Sequence, residues 1–246
     1  GKGSRLYPLT KDKPKCLVDI RGRSILDRIV DASLLAGIRD IIVVSGYKSD
    51  AIMNSAIKKI ENRNYDNSNM VQTLMCAEQY FGNGFIMSYG DIIYSHKILE
   101  QLKGSSDDIT VVVDKNWKNL WELRFDDPLS DAETLKLNKE GFLTEIGNRT
   151  NDISNIEAQY IGLIYFNNDG VKKLKKYYEF LKLNQNNSNK NLEFGFDFNT
   201  MYMTDLIQFM IQEGEKIKAL NIYGGWFEID SNKDLDIAIT NLEEII

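Results

Sequence analysis

Residues 84–91 have the sequence Gly-Phe-Ile-Met-Ser-Tyr-Gly-Asp, an apolar run that ends in a carboxylate. The run is short enough for a buried strand, and similar runs occupy 39–45, 108–113 and 157–166. They alternate with segments of helical periodicity, a pattern typical of an α/β fold with helices on both faces of its sheet. We therefore predict a Rossmann-like, open and mostly parallel sheet. Asp91 should lie at the carboxyl end of a strand, where such sheets bind ligands.

Seven segments have helical periodicity, and two of them begin with the residue spacing of a capping box. They span 24–36, 49–60, 68–80, 95–103, 168–182, 202–213 and 231–245. Ser24 precedes Asp27 by three residues, and Ser231 precedes Asp234 by the same spacing. In each pair the hydroxyl can accept from the backbone N–H three residues on, so these two helix starts are the best-defined boundaries.

One segment falls outside the strand and helix alternation. Residues 133–147 contain two short apolar stretches around a turn at 138–141, which predicts a β-hairpin within a lid of about 114–160. The Asn-rich segment 184–200 predicts a long mobile loop. We expect the whole chain, 1–246, to form one domain with this lid as its elaboration.

Composition excludes several functional classes. The 246 residues include 36 acidic and 30 basic side chains, a formal charge of -6, with no stripe of Lys and Arg, which argues against nucleic acid as a partner. No apolar run approaches the ~20 residues that a membrane span needs, so we predict a cytoplasmic protein without a membrane partner. Cys16, Cys76 and the lone His96 form neither a disulfide framework nor a recognisable zinc site. A single His also argues against a Ser-His-Asp triad.

The chain opens with Gly1-Lys2-Gly3-Ser4-Arg5-Leu6 and continues to Lys15. Glycines let backbone N–H groups approach phosphate oxygens, and Arg5 and Lys15 supply the charge that a triphosphate needs. From these residues alone, a flexible terminus with scattered cations fits about as well. A dinucleotide fingerprint fits worse because Leu6 stands where a third Gly is required, and a P-loop motif is absent.

Several short segments together resemble one family, the nucleotidyltransferases that activate sugar phosphates and phosphocholine-like compounds, and within it the cytidylyltransferase branch. The segments are Gly1–Thr10 with Lys13-Pro14-Lys15, Gly90-Asp91, Val113-Asp114 with Trp117 and Trp121, 131–136, 157–162, 201–205 and 225–230. Each segment is short, but their order and spacing make the combined match specific. Family members begin with a hydrophobic strand and Leu-Ala-Ala before the glycine loop. Because this chain begins at Gly1, we expect its first, central strand to be missing from the sequence.

The resemblance implies that Asp91 and Asp230 bind the Mg²⁺ ion that bridges nucleotide and acceptor. Two carboxylates with phosphate oxygens and waters suffice for this ion. Taken singly, Asp91 could be a turn residue and Asp230 a partner of a helix dipole. We predict Arg5, Lys15, Asp91 and Asp230 as the catalytic set. The predicted nucleotide-binding residues are Gly1, Gly3, Ser4, Arg5, Lys15, Asn69, Gln72 and Gly90, with Asn69 and Gln72 facing the base unless they only cap a helix.

A second set of side chains suggests how an acceptor is bound. It combines aromatic rings, acidic groups and one lysine: Asp114, Trp117, Trp121, Glu133, Lys136, Tyr160, Asp205 and Glu228. Aromatic faces with carboxylates suit an ammonium or quaternary ammonium group. Alternatively, the tryptophans only pack the lid, the acids are solvated, and Lys136 is a solubilising charge. Arg124 could pair with the carboxylate of an amino-acid-like acceptor.

The predicted reaction is transfer of CMP from CTP to a small phosphate or phosphonate acceptor, with release of pyrophosphate. The resemblance implies phosphocholine, 2-aminoethylphosphonate or phosphoglutamine as the acceptor, and the residues do not rank them. Two alternatives stay open: a sugar-1-phosphate nucleotidyltransferase using UTP or dTTP, and a catalytically silent nucleotide-binding regulatory domain. The sequence also leaves open whether the chain is a monomer or a homodimer.

Overall fold

The computed structural model describes residues 1–185 and 195–245. The strands in these ranges are β1 (Asp19–Ile20), β2 (Arg23–Ser24), β3 (Ile41–Ser45), β4 (Ile57–Glu61), β5 (Gly84–Ser88), β6 (Ile92–Tyr94), β7 (Ile109–Asp114), β8 (Glu133–Leu137), β9 (Leu143–Arg149), β10 (Gln159–Asn167), β11 (Lys218–Ile222) and β12 (Trp226–Glu228). The helices are α1 (Ile25–Leu35), α2 (Met70–Met75), α3 (His96–Lys103), α4 (Trp117–Arg124), α5 (Asn168–Asn184), α6 (Met203–Gln212) and α7 (Asn232–Thr240). Most of the loop predicted at 184–200 lies outside the described residues.

The central sheet has four strands in the order β11, β7, β10, β5. Strand β11 is parallel to β7, whereas β10 is antiparallel to both β7 and β5. Three strands therefore point the same way, and one inverted strand lies between two of them. The predicted α/β fold is confirmed, but the sheet is mixed rather than mostly parallel in its pairings. Strands β3 and β4 form a separate parallel pair.

Side chains along the strands of the central sheet point alternately to its two faces, so the core has two parts. Val112 of β7 and Leu163 of β10 pack with residues of α1, α3 and α7. Their neighbours Val111 and Ile164 pack with residues of α5 and α6 on the opposite face. Successive side chains of a strand point to opposite faces, so a sheet buried on both sides requires the continuous apolar runs seen in the sequence. Helices cover both faces, as predicted.

Helix predictions agree with the structure in six of the seven segments, apart from boundaries. Ser24 and Ser231 cap α1 and α7 by accepting from the N–H groups of Asp27 and Asp234. The helix predicted at 49–60 is wrong, because this segment contains a 3-10 turn followed by the start of β4. None of the helices that the structure describes is long and apolar enough to span a bilayer.

The predicted β-hairpin is present as β8 and β9, which pair antiparallel. Its turn is closed by the Asn138 side chain, whose Oδ1 accepts from the N–H groups of Glu140 and Phe142. Inward-facing Leu135 and Ile146 join the core beside α6. The hairpin therefore packs against the face of the domain formed by α5 and α6.

Candidate active site

Two short strands bring Asp91 and Asp230 together from distant parts of the chain. Asp91 immediately precedes β6, and Asp230 lies two residues after the end of β12. These strands pair antiparallel with Glu228 opposite Ile92, and Ile229 N–H donates to the Asp91 carbonyl at 2.9 Å. The register therefore places the two aspartates side by side at the strand ends, as the metal-site prediction requires.

The N-terminal turn supplies two cations to these aspartates. The Lys15 ammonium lies 3.0 Å from Asp91 Oδ2 and also contacts Asp230 Oδ1, and its side chain is only 8% exposed. Arg5 Nη2 lies 2.7 Å from Asp230 Oδ2, and the Arg5 side chain is mostly exposed. The structure thus brings together all four side chains of the predicted catalytic set.

The path of the opening turn depends on Gly3. Its φ of +63° lies in the left-handed region, and a Cβ there would lie 2.9 Å from Thr10 Cγ2 and 3.0 Å from Lys15 Cβ. Thr10 donates from Oγ1 to the Gly3 carbonyl at 2.8 Å, and Lys15 N–H donates to the Gly1 carbonyl at 3.1 Å. A larger residue at position 3 would be strained in its backbone and would displace Lys15.

The cations control the ionisation of this cluster. Burial alone would lower the pKa of Lys15, but Asp91 and Asp230 outweigh it and raise that pKa above its ordinary value. Burial would likewise raise the pKa of Asp230, but Lys15 and then Arg5 bring it below the usual range. At neutral pH the Lys15 ammonium and the Asp230 carboxylate are therefore both charged.

The residues present fit a magnesium ion that is completed by substrate oxygens. Asp91 Oδ1 is buried and has no hydrogen-bond partner, which is costly for a carboxylate oxygen unless something else binds it. The carboxylates of Asp91 and Asp230 already converge on one positive charge. In the described part of the chain, no group of three or more His, Cys, Asp or Glu side chains is placed to hold a metal. A two-carboxylate site would therefore need phosphate oxygens and water as its remaining ligands.

Arg124 does not face an acceptor, contrary to the interpretation offered from the sequence. Its side chain is 1% exposed, and its Nη1 lies 2.7 Å from Glu228 Oε2. Its Nε donates to Asp234 Oδ1 at 2.9 Å. Both carboxylates belong to this chain, so the guanidinium faces internal charges; its buried Nη1 pairs with Glu228 by charge, without hydrogen-bond geometry. Burial raises the pKa of Glu228 to about 7, an effect that Arg124 opposes and the nearby Asp230 and Asp91 reinforce.

Three predicted acceptor residues are buried among other side chains, and we correct their assignment. Trp117 and Trp121 are each 4% exposed and pack in the core. Asp114, 1% exposed, accepts from Trp226 Nε1 at 2.9 Å and from the N–H groups of Asn116 and Gly224. Its oxygens are satisfied within the protein. The sequence could not show this, because Trp226 lies 112 residues away.

Other predicted acceptor residues are only partly buried. Burial raises the pKa of Glu133 to about 7 against the attraction of Arg149, and Asp131 and Asp205 add to the shift. Tyr160 packs edge-on against Tyr89, with ring centroids 5.7 Å apart.

Tyr89 interacts electrostatically with both a predicted acceptor residue, Glu133, and a predicted metal ligand, Asp91. The pKa of Tyr89 is raised, first by burial and further by Asp91, Glu133 and Glu228. These three acids therefore all lie within electrostatic range of the Tyr89 hydroxyl. Asp205 uses Oδ2 to accept from Tyr202 N–H at 2.7 Å, which caps α6. Lys136 lies on the hairpin, 3.6 Å from Glu145.

Asn69 and Gln72 both form hydrogen bonds to other groups of the protein. Asn69 caps α2 through Met70 N–H and donates from Nδ2 to the Thr200 carbonyl at 3.1 Å. Gln72 donates to the Phe198 carbonyl at 3.0 Å and accepts from Tyr178 Oη at 2.8 Å. The structure therefore favours the alternative in which they organise the helix start, and they hold segment 197–200 against α2.

The remaining predicted nucleotide residues surround the opening turn and the end of β5. Ser4 begins a 3-10 turn that ends at Leu6. Gly90 leaves open space where a Cβ would lie, next to Asp91. Sequence reasoning missed Thr10 and Asp234 as supporting residues. The capping box at Ser231 and Asp234 was a signal for the second of these, because it fixed the backbone next to Asp230.

Comparison with known proteins gives matches at three levels. Residues 1–117 match the family model described as nucleotidyl transferase. The chain is 40% identical over 250 residues to the CTP:phosphoglutamine cytidylyltransferase of Campylobacter jejuni, covering 97% of this chain and 96% of that protein. It is 28% identical to a UTP–glucose-1-phosphate uridylyltransferase of Haloferax volcanii, over 44% of this chain and 47% of that protein. The structure of a CTP:phosphocholine cytidylyltransferase from Streptococcus pneumoniae superposes with a TM-score of 0.74 at 18% identity, covering 98% of this chain and 95% of that one.

Proposed function

Because this chain belongs to the nucleotidyl transferase family, we propose that it transfers CMP from CTP to a small phosphorylated acceptor and releases pyrophosphate. The observation that carries the proposal is the convergence of Arg5, Lys15, Asp91 and Asp230 at the ends of β6 and β12. The 40% identity to a CTP-dependent enzyme over almost the whole of both chains favours CTP over UTP or dTTP.

The chemistry requires positioning and charge more than proton transfer. A phosphate monoester has a second pKa of about 6, so at neutral pH it is mostly a dianion and can attack without a general base. The acceptor oxygen would attack the α-phosphorus in line, and pyrophosphate would leave from the opposite side. Arg5 and Lys15 would neutralise charge on the triphosphate and on the developing pyrophosphate.

Magnesium would be held by Asp91 and Asp230. When bound, it neutralises charge on phosphate oxygens and orients them for displacement. Lys15 and Arg5 both contact Asp230, and a triphosphate would compete with that carboxylate for them. The proposed site therefore exchanges one set of ion pairs for another when the substrate binds, which keeps the buried charges compensated at each stage.

For the acceptor, we favour a phosphorylated compound that carries an ammonium group, with phosphoglutamine as the first candidate. After the three buried residues are removed from the set and Glu228 is assigned to its ion pair with Arg124, the remaining candidate acceptor-binding residues are Glu133, Lys136, Tyr160 and Asp205. Carboxylates with an aromatic ring favour an ammonium group over a neutral sugar hydroxyl. The 40% identical relative is named for phosphoglutamine, which carries such a group.

The test is a pyrophosphate-release screen that pairs CTP, UTP and dTTP with phosphoglutamine, phosphocholine, 2-aminoethylphosphonate and glucose-1-phosphate. We expect turnover with CTP and an ammonium-bearing acceptor, in the presence of magnesium only. The Asp230→Asn variant should lose turnover and unfold within a few degrees of the wild type, because it removes a metal charge and keeps the side-chain shape.

Other outcomes would favour the alternatives. Turnover with UTP and a sugar phosphate, but none with CTP, would support the sugar-1-phosphate enzyme. Nucleotide binding without turnover on any acceptor would support the regulatory domain. Wild-type rates in the Asp230→Asn variant would remove that residue from the mechanism.

A further inference from the structure

Arg124 is a buried cation that joins two separate carboxylates. It ends α4, its side chain is 1% exposed, and it contacts Glu228 Oε2 at 2.7 Å and Asp234 Oδ1 at 2.9 Å. The Trp121 and Phe125 rings lie 5.1 and 4.9 Å from Cζ and shield the guanidinium from solvent. A planar guanidinium can hold two carboxylates at once in a fixed orientation, whereas a lysine ammonium is a flexible point charge.

Asp234 connects this cation to the backbone of Asp230. While its Oδ1 accepts from Arg124, its Oδ2 accepts from Asp230 N–H at 3.0 Å and from Ser231 N–H at 2.8 Å. The Ser231 hydroxyl also donates to Oδ2, at 3.0 Å. Two successive peptide N–H groups between β12 and α7 are thus fixed by one carboxylate, whose own position depends on Arg124.

Glu228 is the other side chain that Arg124 fixes. It lies two residues before Asp230, opposite Ile92 in the pairing of β12 with β6, so it borders Asp91 on the partner strand. Without a cation beside it, the carboxylate would be free to turn toward the same positive charges that Asp91 and Asp230 share. Arg124 therefore holds both ends of the 228–234 segment around Asp230.

We propose that Arg124 is a positioning residue for the active site, which fixes the Asp230 carboxylate and keeps Glu228 apart from it. This role rests on the proposed function, in which Asp230 binds the metal. Arg124 touches neither the metal-site carboxylates nor the opening turn directly. It acts through Asp234 and Glu228, so its loss should change the geometry of the site more than it changes the rest of the fold.

The test measures Mn²⁺ binding to the nucleotide-free full chain by electron paramagnetic resonance titration, together with amide hydrogen exchange at Asp230 and Ser231. Arg124→Lys keeps the charge but cannot reproduce both contacts. It should weaken Mn²⁺ binding by about tenfold, the lower end of what loss of an outer-shell partner costs. It should also speed exchange at these two amides, while amides in the central strand β7 exchange as in the wild type. Asp234→Asn should give the same pattern if Arg124→Lys does not fold.

The matched control is Lys173→Met. Lys173 also bridges two carboxylates, Asp108 at 2.9 Å and Glu215 at 2.6 Å, but Asp108 precedes β7 at its amino end. Asp114, at the carboxyl end of β7, accepts from Trp226 of β12, the strand that leads to Asp230. Since a six-residue strand is about 20 Å long, the Lys173 bridge lies at the opposite end of β7 from that contact. Its removal should leave Mn²⁺ affinity and exchange at Asp230 unchanged.

The outcomes separate this proposal from the proposed function. Wild-type Mn²⁺ affinity and wild-type exchange at Asp230 and Ser231 in both Arg124→Lys and Asp234→Asn would overturn the positioning role. An equal loss of Mn²⁺ affinity in Lys173→Met would also overturn it, because the effect would then be one of general stability. If Asp230→Asn binds Mn²⁺ as well as the wild type, the metal site itself fails, while faster exchange in Arg124→Lys would still support its role in fixing the segment.

Discussion

Replacing Lys15 with methionine tests the charge balance of the site directly. The Lys15 side chain is 8% exposed and contacts both Asp91 and Asp230, so its ammonium is the charge that these carboxylates share. Methionine keeps an unbranched stem, so packing of the stem beside Gly3 should persist. The variant therefore removes the charge with little change in shape.

The expected cost follows from the two carboxylates left facing each other. Unit charges roughly 5 Å apart repel by about 3 kcal/mol at an effective dielectric constant near 20. Removing one member of a buried ion pair costs a similar ~3–5 kcal/mol. We expect the free energy of unfolding at pH 7.5, in chelator, to fall by about 3 kcal/mol.

The pH dependence gives this prediction a second signature. Against the effect of burial, Lys15 and Arg5 lower the pKa of Asp230 below its value in the unfolded chain. An acid with a lowered pKa stabilises the fold above the unfolded pKa, near 3.8, and this stability is lost as the pH falls toward the folded pKa. The difference between wild type and Lys15→Met should therefore shrink as the pH approaches about 4 and the carboxylates of the variant take up protons.

The assay is urea unfolding followed by tryptophan fluorescence, in chelator and in excess magnesium. Magnesium should restore stability to Lys15→Met more than to the wild type, because the ion can replace the ammonium between the carboxylates. Lys173→Met is the control, and its loss should stay under about 1 kcal/mol and show no response to magnesium, since its bridge is partly exposed. A Lys15→Met variant within about 0.5 kcal/mol of the wild type in chelator, or a deficit that magnesium leaves unchanged, would refute the reasoning.

Two further predictions concern residues of the proposed binding surfaces. Burial raises the pKa of Glu133 to about 7, so the folded protein holds this proton more tightly than the unfolded chain and loses stability as the pH rises from about 4.5 to 7. In thermal unfolding, Glu133→Gln should be more stable than wild type by about 2 kcal/mol at pH 8 and equally stable near pH 4.5. The variant should also raise KM for an ammonium-bearing acceptor. Equal stability of the two proteins at pH 8 would contradict a buried carboxylate at position 133. Gln72→Leu removes the hydrogen bonds to Phe198 and Tyr178 and should lower the free energy of unfolding by about 1–2 kcal/mol. Its affinity for CTP, measured by calorimetry, should equal that of the wild type. A selective loss of CTP affinity would support a role for Gln72 in base recognition.

Features that depend on local spacing could be predicted from the sequence. The run at 84–91 correctly predicted β5 followed by Asp91, and the capping boxes correctly predicted the starts of α1 and α7. The hairpin was correctly predicted from a turn flanked by two short apolar stretches. These signals are contained within a few residues of chain, so no long-range partner is needed to interpret them.

Strand direction could not be predicted in this way, nor could several of the strands, among them β4, β6, β11 and β12. β10 is buried on both faces, and such a strand has a continuous apolar run whether its neighbours are parallel or antiparallel. In β4, Ile57 and Ile60 are three residues apart, a spacing that also fits one face of a helix. Parallel pairing with β3 decides the outcome, and that contact is a property of the folded chain.

In the site too, the sequence indicates which residue types are present, but only the fold shows which side chains contact each other. Asp91 could be identified as a carboxylate at a strand end, and Asp230 through the family resemblance. The role of Arg124 depends on Asp234, which is 110 residues away. From the sequence, an arginine near predicted acceptor residues suggests ligand recognition. In the fold, the pairing of β12 with β6 places Glu228 beside Asp91, and an internal cation is then needed to hold it. The segment 228–234 therefore serves both the core and the proposed chemistry, since its buried ion pairs fix the carboxylate on which metal binding would depend.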